Sequence, residues 1–334
     1  MFWPPVVVIF AIPLAVQFFI ARRILWAIAL LFIVSGVIFL IFYILPSADP
    51  AVLRAGRNAG TQQIANIRHS LGLDRPIYVQ YVLYMRQVFL HFDFGYSYEY
   101  NVPVRQLIFS RLPATAWLVI GGMIVWLAIG LTVGIISASR RRSLTDRLSM
   151  TVSLTFISAP TFWLGLVSLY LFADDIGRFK VFAGQGSFAT ASTVFQKAWA
   201  MVLPWLILAA SSAAVYARYM RASMIDTLGE DYIRTARAKG LPERRVLLRH
   251  SLRSAITPIV TLVGLDLGTL LAGQAIITET VFNIPGLGRL LAQSIGVSDL
   301  ATIQGVTLFG AFFIVFFNLV VDIGYAYLDP RVRY

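Results

Sequence analysis

The sequence predicts an all-α integral membrane protein of six transmembrane helices, with both termini on the cytoplasmic side. Three observations predict it. The 334 residues are 58% hydrophobic and only 13% charged, with a mean hydropathy of +0.75; soluble domains carry about 25% charged and roughly 45–50% apolar residues. Six stretches are apolar over the ~20 residues a helix needs to cross a ~30 Å hydrocarbon core. The arginines also gather on alternate loops, the pattern that orients a chain in a membrane.

The spans are expected at about Ile24–Leu45, Ala114–Ser137, Leu148–Phe172, Ala198–Tyr216, Ile256–Ile277 and Gly305–Leu328. Arg22 and Arg23 precede the first. Arg140, Arg141, Arg142 and Arg147 lie between the second and third, and Arg331 and Arg333 follow the sixth. The loop between the fourth and fifth holds Arg218, Arg221, Arg234, Arg237, Lys239, Arg244, Arg245, Arg249 and Arg253. The loop after the fifth has Arg289 alone, against Glu279 and Asp299. Seven arginines between Asp49 and Leu112 fall on the opposite side, but long loops translocate largely regardless of charge. The net charge of +12 thus follows membrane orientation, and nothing in its placement asks for nucleic acid.

The chain divides into an N-terminal hydrophobic segment (1–21), the first span (22–46), an external, periplasmic-side segment (47–112), a transmembrane core (113–328) containing a cytoplasmic loop at 218–254, and a cytoplasmic tail (329–334). Val6–Ala21 is apolar but short, contains Pro13 and has no basic residue before Arg22, where a signal peptide would carry positive charge. An extra span, an interfacial helix and an upstream start codon chosen in error all remain open.

Several function classes are disfavoured. With no cysteine there is no disulfide, thiol catalysis or Cys-zinc site. The three lysines, Lys180, Lys197 and Lys239, are neither preceded by Gly nor followed by Ser or Thr, so the chain has no phosphate-binding loop. His69, His91 and His250 are too far apart for a zinc-protease motif, and no serine sits in a GxSxG elbow. Two carboxylates fall within spans, where ionisable groups mark pathways or pair with neighbours. Asp322, near the cytoplasmic end of the sixth span, reads as a structural anchor for an arginine. Asp266, deeper in the fifth, either lines a polar path or hydrogen-bonds a neighbouring helix. One such carboxylate makes a poor proton relay, which weighs against an ATP-independent secondary transporter or channel, the alternative to an ATP-driven permease; a membrane enzyme stands third.

The cytoplasmic loop is more than a basic connector. The fourth span should continue to Leu228 and break at Gly229. Asp231 can cap a short helix, Tyr232–Lys239, that stops at Gly240, the favoured residue just past a helix end. Pro242 suits a first helical position, Glu243 suits the positive end of the next helix, and that helix (about Pro242–Ser254) enters the fifth span near Pro258. An eight-residue helix is marginal in water, so packing must hold it. Its small residues, Thr235, Ala236 and Ala238, permit close approach, and Arg234, Arg237 and Lys239 suit an acidic or carbonyl-lined groove. These features favour a docking helix over a loop that only enforces topology. In the external segment, Tyr78, Tyr81 and Tyr84 at near-helical spacing suggest an aromatic belt on the bilayer or a ledge for a partner. Pro285, Gly286 and Gly288 form either a turn-rich excursion toward a pore mouth or an ordinary connector.

YIRTARAKGL, at Tyr232–Leu241, resembles the cytoplasmic EAA loop of ABC importer permeases, in their dipeptide/oligopeptide and nickel subfamily. Arg234 and Thr235 stand where the general motif has Glu and its first Ala, and the motif's tail is altered to ITP at Ile256–Pro258. LGLDRPIYVQY (Leu71–Tyr81), FDFGYS (Phe92–Ser97), RLPATAWL (Arg111–Leu118), ETVFNIPGLGRLL (Glu279–Leu291) and YLDPRVRY (Tyr327–Tyr334) are similar to the same subfamily, in order, across Arg22–Tyr334. The resemblance implies a type I importer permease fold and half of a translocation pore for peptides or a similar small solute. It implies as partners two ATP-binding subunits, a second permease subunit of different sequence, an extracytoplasmic substrate-binding protein and the lipid bilayer of the inner membrane. ATP and Mg would lie on the partner subunits, with no cofactor on this chain. Asp231, Tyr232, Arg234, Thr235, Ala236, Arg237, Ala238, Lys239, Gly240 and Leu241 would couple to the ATPases.

Overall fold

The computed structural model describes residues 14–44, 51–52, 60–70, 73–97 and 99–328. Most of residues 1–21, the 329–334 tail with Arg331 and Arg333, and part of the Leu71–Tyr81 motif lie outside the described residues. Among the described residues five helices are long and apolar enough to cross a membrane, and a sharply bent helix pair makes a sixth where the two count as one span. They are α1 (Leu14–Phe39, continued by a π-helical Leu40–Ile44), α4 (Val104–Ser139), the pair α5 (Leu144–Ser158) and α6 (Thr161–Phe172), α7 (Val194–Leu228), α10 (Thr257–Thr269, continued by a π-helical Leu270–Gln274) and α13 (Leu300–Leu328).

The third span departs from the single helix the hydropathy suggests: α5 and α6 meet at 99°. Ala159 and Pro160 both hold extended backbone, ψ 128° and 130°, because the residue before a proline is pushed out of the α region and Pro160 itself has no N–H to donate. The second span starts earlier than expected, at Val104, because Pro113 is accommodated inside α4. The external segment also contains α2 (Thr61–Ser70), α3 (Ile77–His91) and a two-residue antiparallel ladder, β1 (Tyr96–Ser97) with β2 (Val102–Pro103). The chain separates into two compact units: residues up to Ser110 with Gly264–Ala272 and Leu291 onward, and Arg111–Val263 with Gly273–Leu290.

In the first unit α1 packs along α13, and Arg23 reaches Asp322 at 3.0 Å. α3 lies on α1: the Tyr81 hydroxyl donates to the Phe32 carbonyl and meets Ser35 Oγ at 3.0 Å. Tyr84 and Val88 are buried against Ile38, Phe39 and Leu308. Tyr81 and Tyr84 therefore face inward, while Tyr78 is exposed. Asp299 caps α13, accepting from the Thr302 N–H and hydroxyl, and also accepts from Ser97 on β1. A carboxylate at a helix start is matched to the positive end of the helix dipole, and here it also ties down the hairpin.

In the second unit α4 and α7 approach closely. A Cβ on Gly130 would meet the Ala213 carbonyl at 2.8 Å, and one on Gly134 would meet Met220 Cβ at 2.6 Å. This spacing of two glycines four apart lets backbones touch where lipid offers no hydrophobic drive between helices. Trp205 of α7 donates its indole N–H to the Trp117 carbonyl at 2.9 Å. Asp146, at the start of α5, accepts from Ser137 on α4, from the Arg142 backbone N–H, and from Arg221 on α7 through Nε (2.7 Å) and Nη2 (2.8 Å). One buried carboxylate thus joins three helices, and a bidentate guanidinium fork fixes the register of α7 on α5.

The candidate coupling site

α7 carries the site. Its 35 residues extend about 50 Å, against a hydrocarbon core of about 30 Å, so its last turns stand clear of the membrane on the Arg-rich side. Gly229 ends it, and α8 (Asp231–Ala238) follows. Asp231 is the first helical residue and not the cap. Glu230 occupies the cap with no side-chain hydrogen bond, and Asp231 instead lies 3.4 Å from Arg234, with both side chains largely exposed. Its charge still sits at the positive end of the helix.

The stop at Gly240 has a defined geometry. Gly240 takes φ +74° with nothing within 4 Å of where a Cβ would lie, so the requirement for glycine is conformational and not one of space. The Gly240 N–H donates to the Arg237 carbonyl, and the Leu241 N–H to the Ala236 carbonyl. Those two bonds are the Schellman closure of a helix end. Pro242 then serves as the cap of α9 (Glu243–Arg245) and not as its first helical residue. α9 runs on through a π-helical Val246–Ser251 and Leu252–Ala255 to α10, so the expected Pro242–Ser254 helix is present but with a widened turn in its middle.

One face of α8 holds it and the other is offered to solvent. Ile233 and Ala236, one turn apart, are buried with Val246, and Leu228 and Leu241 pack against them. Ala236 therefore anchors α8 to its own chain. Asp231, Tyr232, Arg234, Thr235, Arg237, Ala238 and Lys239 are exposed. Two side-chain ties add to the anchor: Tyr232 donates to Ser254 Oγ at 3.1 Å, and Arg237 grips Glu243 through Nε (3.1 Å) and Nη2 (2.7 Å). The guanidinium holds the Glu243 carboxyl below its ordinary value, and the carboxylate in turn raises Arg237. Thr235 donates to the Asp231 carbonyl within the helix. The result is a short basic helix, rigidly mounted, with a face of Thr235, Ala238 and Lys239 turned outward.

A second organised element in the same unit escapes sequence counting. Glu279, in α11 (Ile276–Val281), which precedes α12 (Leu287–Val297) in the chain, is fully buried. It accepts from the Thr115 hydroxyl at 2.6 Å and from the Arg289 N–H at 2.8 Å, while Thr115 also accepts from the Leu287 N–H. A side chain on Gly286 would strike this carboxylate. Burial pushes the Glu279 carboxyl up, opposed by its donors at Thr115, Arg289 and Gly288. The Pro285–Gly288 excursion is thus clamped from beneath. Thr115 and Glu279 both lie in stretches that carry the family resemblance, but read along the sequence Glu279 and Asp299 look like ordinary loop charges. Asp266 and Asp322 belong to the first unit: Asp322 pairs with Arg23, and Asp266 is half-buried on α10, where Gly268 packs against Ile314 and Phe317 of α13.

Helices sufficient for five or six membrane spans, joined by the short basic helix α8, fit a multi-span membrane component of a transport system. Residues 130–334 match the family described as the binding-protein-dependent transport system inner membrane component, and residues 16–119 match the N-terminal family of the same membrane components. The chain belongs to this family of inner-membrane transport permeases. It is 43% identical over 317 residues to the glutathione transport system permease protein GsiC of Salmonella paratyphi A, covering 95% of this chain and 99% of that one. Identity and coverage are the same for the GsiC protein of Escherichia coli strain K12.

Proposed function

We propose that this chain forms half of the translocation pore of an ATP-driven importer for glutathione or a peptide of similar size, delivered by an extracytoplasmic binding protein. The observation that carries the reading is the mounting of α8. Ile233 and Ala236 fix it against Leu228 of α7 and against Val246, just past α9, while Thr235, Ala238 and Lys239 face outward, so a push on α8 is transmitted to α7 and α10 as a rigid-body movement. ATP and Mg belong to two partner ATPase subunits whose groove receives α8, and a second permease of different sequence completes the pore. The solute class rests on the glutathione permeases to which the chain is similar.

The test is uptake of labelled glutathione and of di- to pentapeptides into proteoliposomes holding the complete complex. Uptake should require both ATP hydrolysis and the binding protein, and saturating unlabelled glutathione should suppress it. Uptake that continues with a non-hydrolysable nucleotide would overturn the ATP-driven reading; ATP-dependent uptake of neither glutathione nor peptides would overturn the solute class alone.

A further inference from the structure

Between α5 and α7, at the end of the second unit that carries the Arg-rich loops, lies an open cleft of about 580 Å³ lined by Met150, Ile157, Val215, Arg218, Tyr219, Arg221 and Ala222. Its composition is graded along the membrane normal. Ile157 lies in the last turn of α5, toward the bend at Pro160. Met150 lies two turns nearer the cytoplasm, and Arg147, three residues before Met150, continues the same face of the helix. On α7, which runs the opposite way, Val215, Arg218, Tyr219 and Ala222 form one exposed face. The Arg221–Asp146 fork sets Arg147, the residue after Asp146, at the level of Arg221 and within about one turn of Arg218. The cleft is therefore apolar at its deep end and cationic at its cytoplasmic rim, and Asp146 is already engaged by Arg221.

We propose that this cleft holds an anionic phospholipid of the cytoplasmic leaflet, with its phosphate between Arg147 and Arg218 and an acyl chain along Met150, Ile157 and Val215. The inner leaflet carries the anionic lipids, and basic pockets between transmembrane helices on that side suit their headgroups. The Tyr219 ring and hydroxyl, exposed at the same level, fit the boundary between chain and headgroup, where amphipathic aromatics sit. The lipid would brace α7 just above the point where it leaves the membrane to carry α8.

The experiment is native mass spectrometry of the purified, delipidated full-length chain titrated with dioleoylphosphatidylglycerol or dioleoylphosphatidylcholine. The expected result is preferential retention of phosphatidylglycerol, weakened about fivefold by either Arg147→Gln or Arg218→Gln, the effect of one basic residue near an anionic leaflet. Arg178→Gln, on the external side, should leave it unchanged. Ile157→Gln should weaken retention of both lipids. Equal retention of the two lipids, or arginine variants without effect, would overturn the proposal. So would displacement of the lipid by millimolar inorganic phosphate, which would make the rim a site for a free anion. Exclusion of phosphatidylglycerol from the complete complex, with a cysteine at 218 cross-linking to the second permease, would assign the cleft to a protein interface instead.

Discussion

Arg237 holds both carboxylate oxygens of Glu243, at 3.1 and 2.7 Å, and so ties the last turn of α8 to the first turn of α9. The pair is half-exposed, and exposed pairs contribute about 0–1 kcal/mol to stability. Its value lies in orientation. Glu243→Gln should shift melting by little while lowering the solute transported per ATP hydrolysed, because α8 gains freedom to pivot about Ile233. The pH sign follows from the depressed Glu243 carboxyl: the stabilisation is present in full above the ordinary value of 4.5 and fades as pH falls through the lower folded value. Melting curves of wild type and Arg237→Gln should therefore converge toward acid pH.

Gly240 tests the helix stop separately. Any other L-residue at φ +74° costs about 1–2 kcal/mol, and nothing nearby would clash. Gly240→Ala should therefore assemble into the complex but transport more slowly, whereas Gly240→Pro, which also removes the N–H donated to Arg237, should fail in both. Assembly is read by co-purification and transport by uptake.

The Glu279 clamp gives a pH dependence of the opposite sign. Burial raises this carboxyl, so its protonated form is favoured by the fold. The associated stability is present below the ordinary 4.5 and is lost as pH rises through the folded value. Glu279→Gln should flatten that slope. It also leaves the donors at Arg289 and Gly288 short of one acceptor, a loss of about 1–3 kcal/mol, and Glu279→Ala should cost more. Thermal unfolding in detergent across pH measures all three.

Asp146→Ala should be severe. It strands the partly buried Arg221, and removing one partner of a buried pair costs about 3–5 kcal/mol. The double variant Asp146→Ala with Arg221→Met should recover part of that loss. A double variant no more stable than Asp146→Ala would mean that the loss comes from the Ser137 and Arg142 contacts to Asp146 and not from the stranded guanidinium.

The spans were legible because lipid demands about twenty apolar residues whatever the neighbours do. The bend at Pro160 was not, since hydropathy averages over a single proline. In the cytoplasmic loop the glycine stop at Gly240 could be read, because its conformation is a local property. The cap could not be placed to one residue: Glu230 and Asp231 have the same chemistry, and helix starts are uncertain by that much. In the sequence the small size of Ala236 reads as a docking feature. Its helical phase with Ile233 puts it inside, a signal present in the sequence but outweighed by composition. Glu279, Asp299 and Asp146 were invisible as organisers because their partners Thr115, Ser97 and Arg221 lie 164, 202 and 75 residues away, and charge counting carries no depth.

The central claim, that the outward face of α8 is what the ATPase holds, is tested most directly by cross-linking. The chain has no native cysteine, so Ala238→Cys and Thr235→Cys each give a single thiol on the exposed face, to be paired with cysteines in the ATPase groove within the assembled, transporting complex. The account predicts cross-links from both positions, with yields that change when nucleotide binds. If both cysteines instead stay open to a water-soluble maleimide in a complex that still couples ATP hydrolysis to uptake, α8 is not the coupling element.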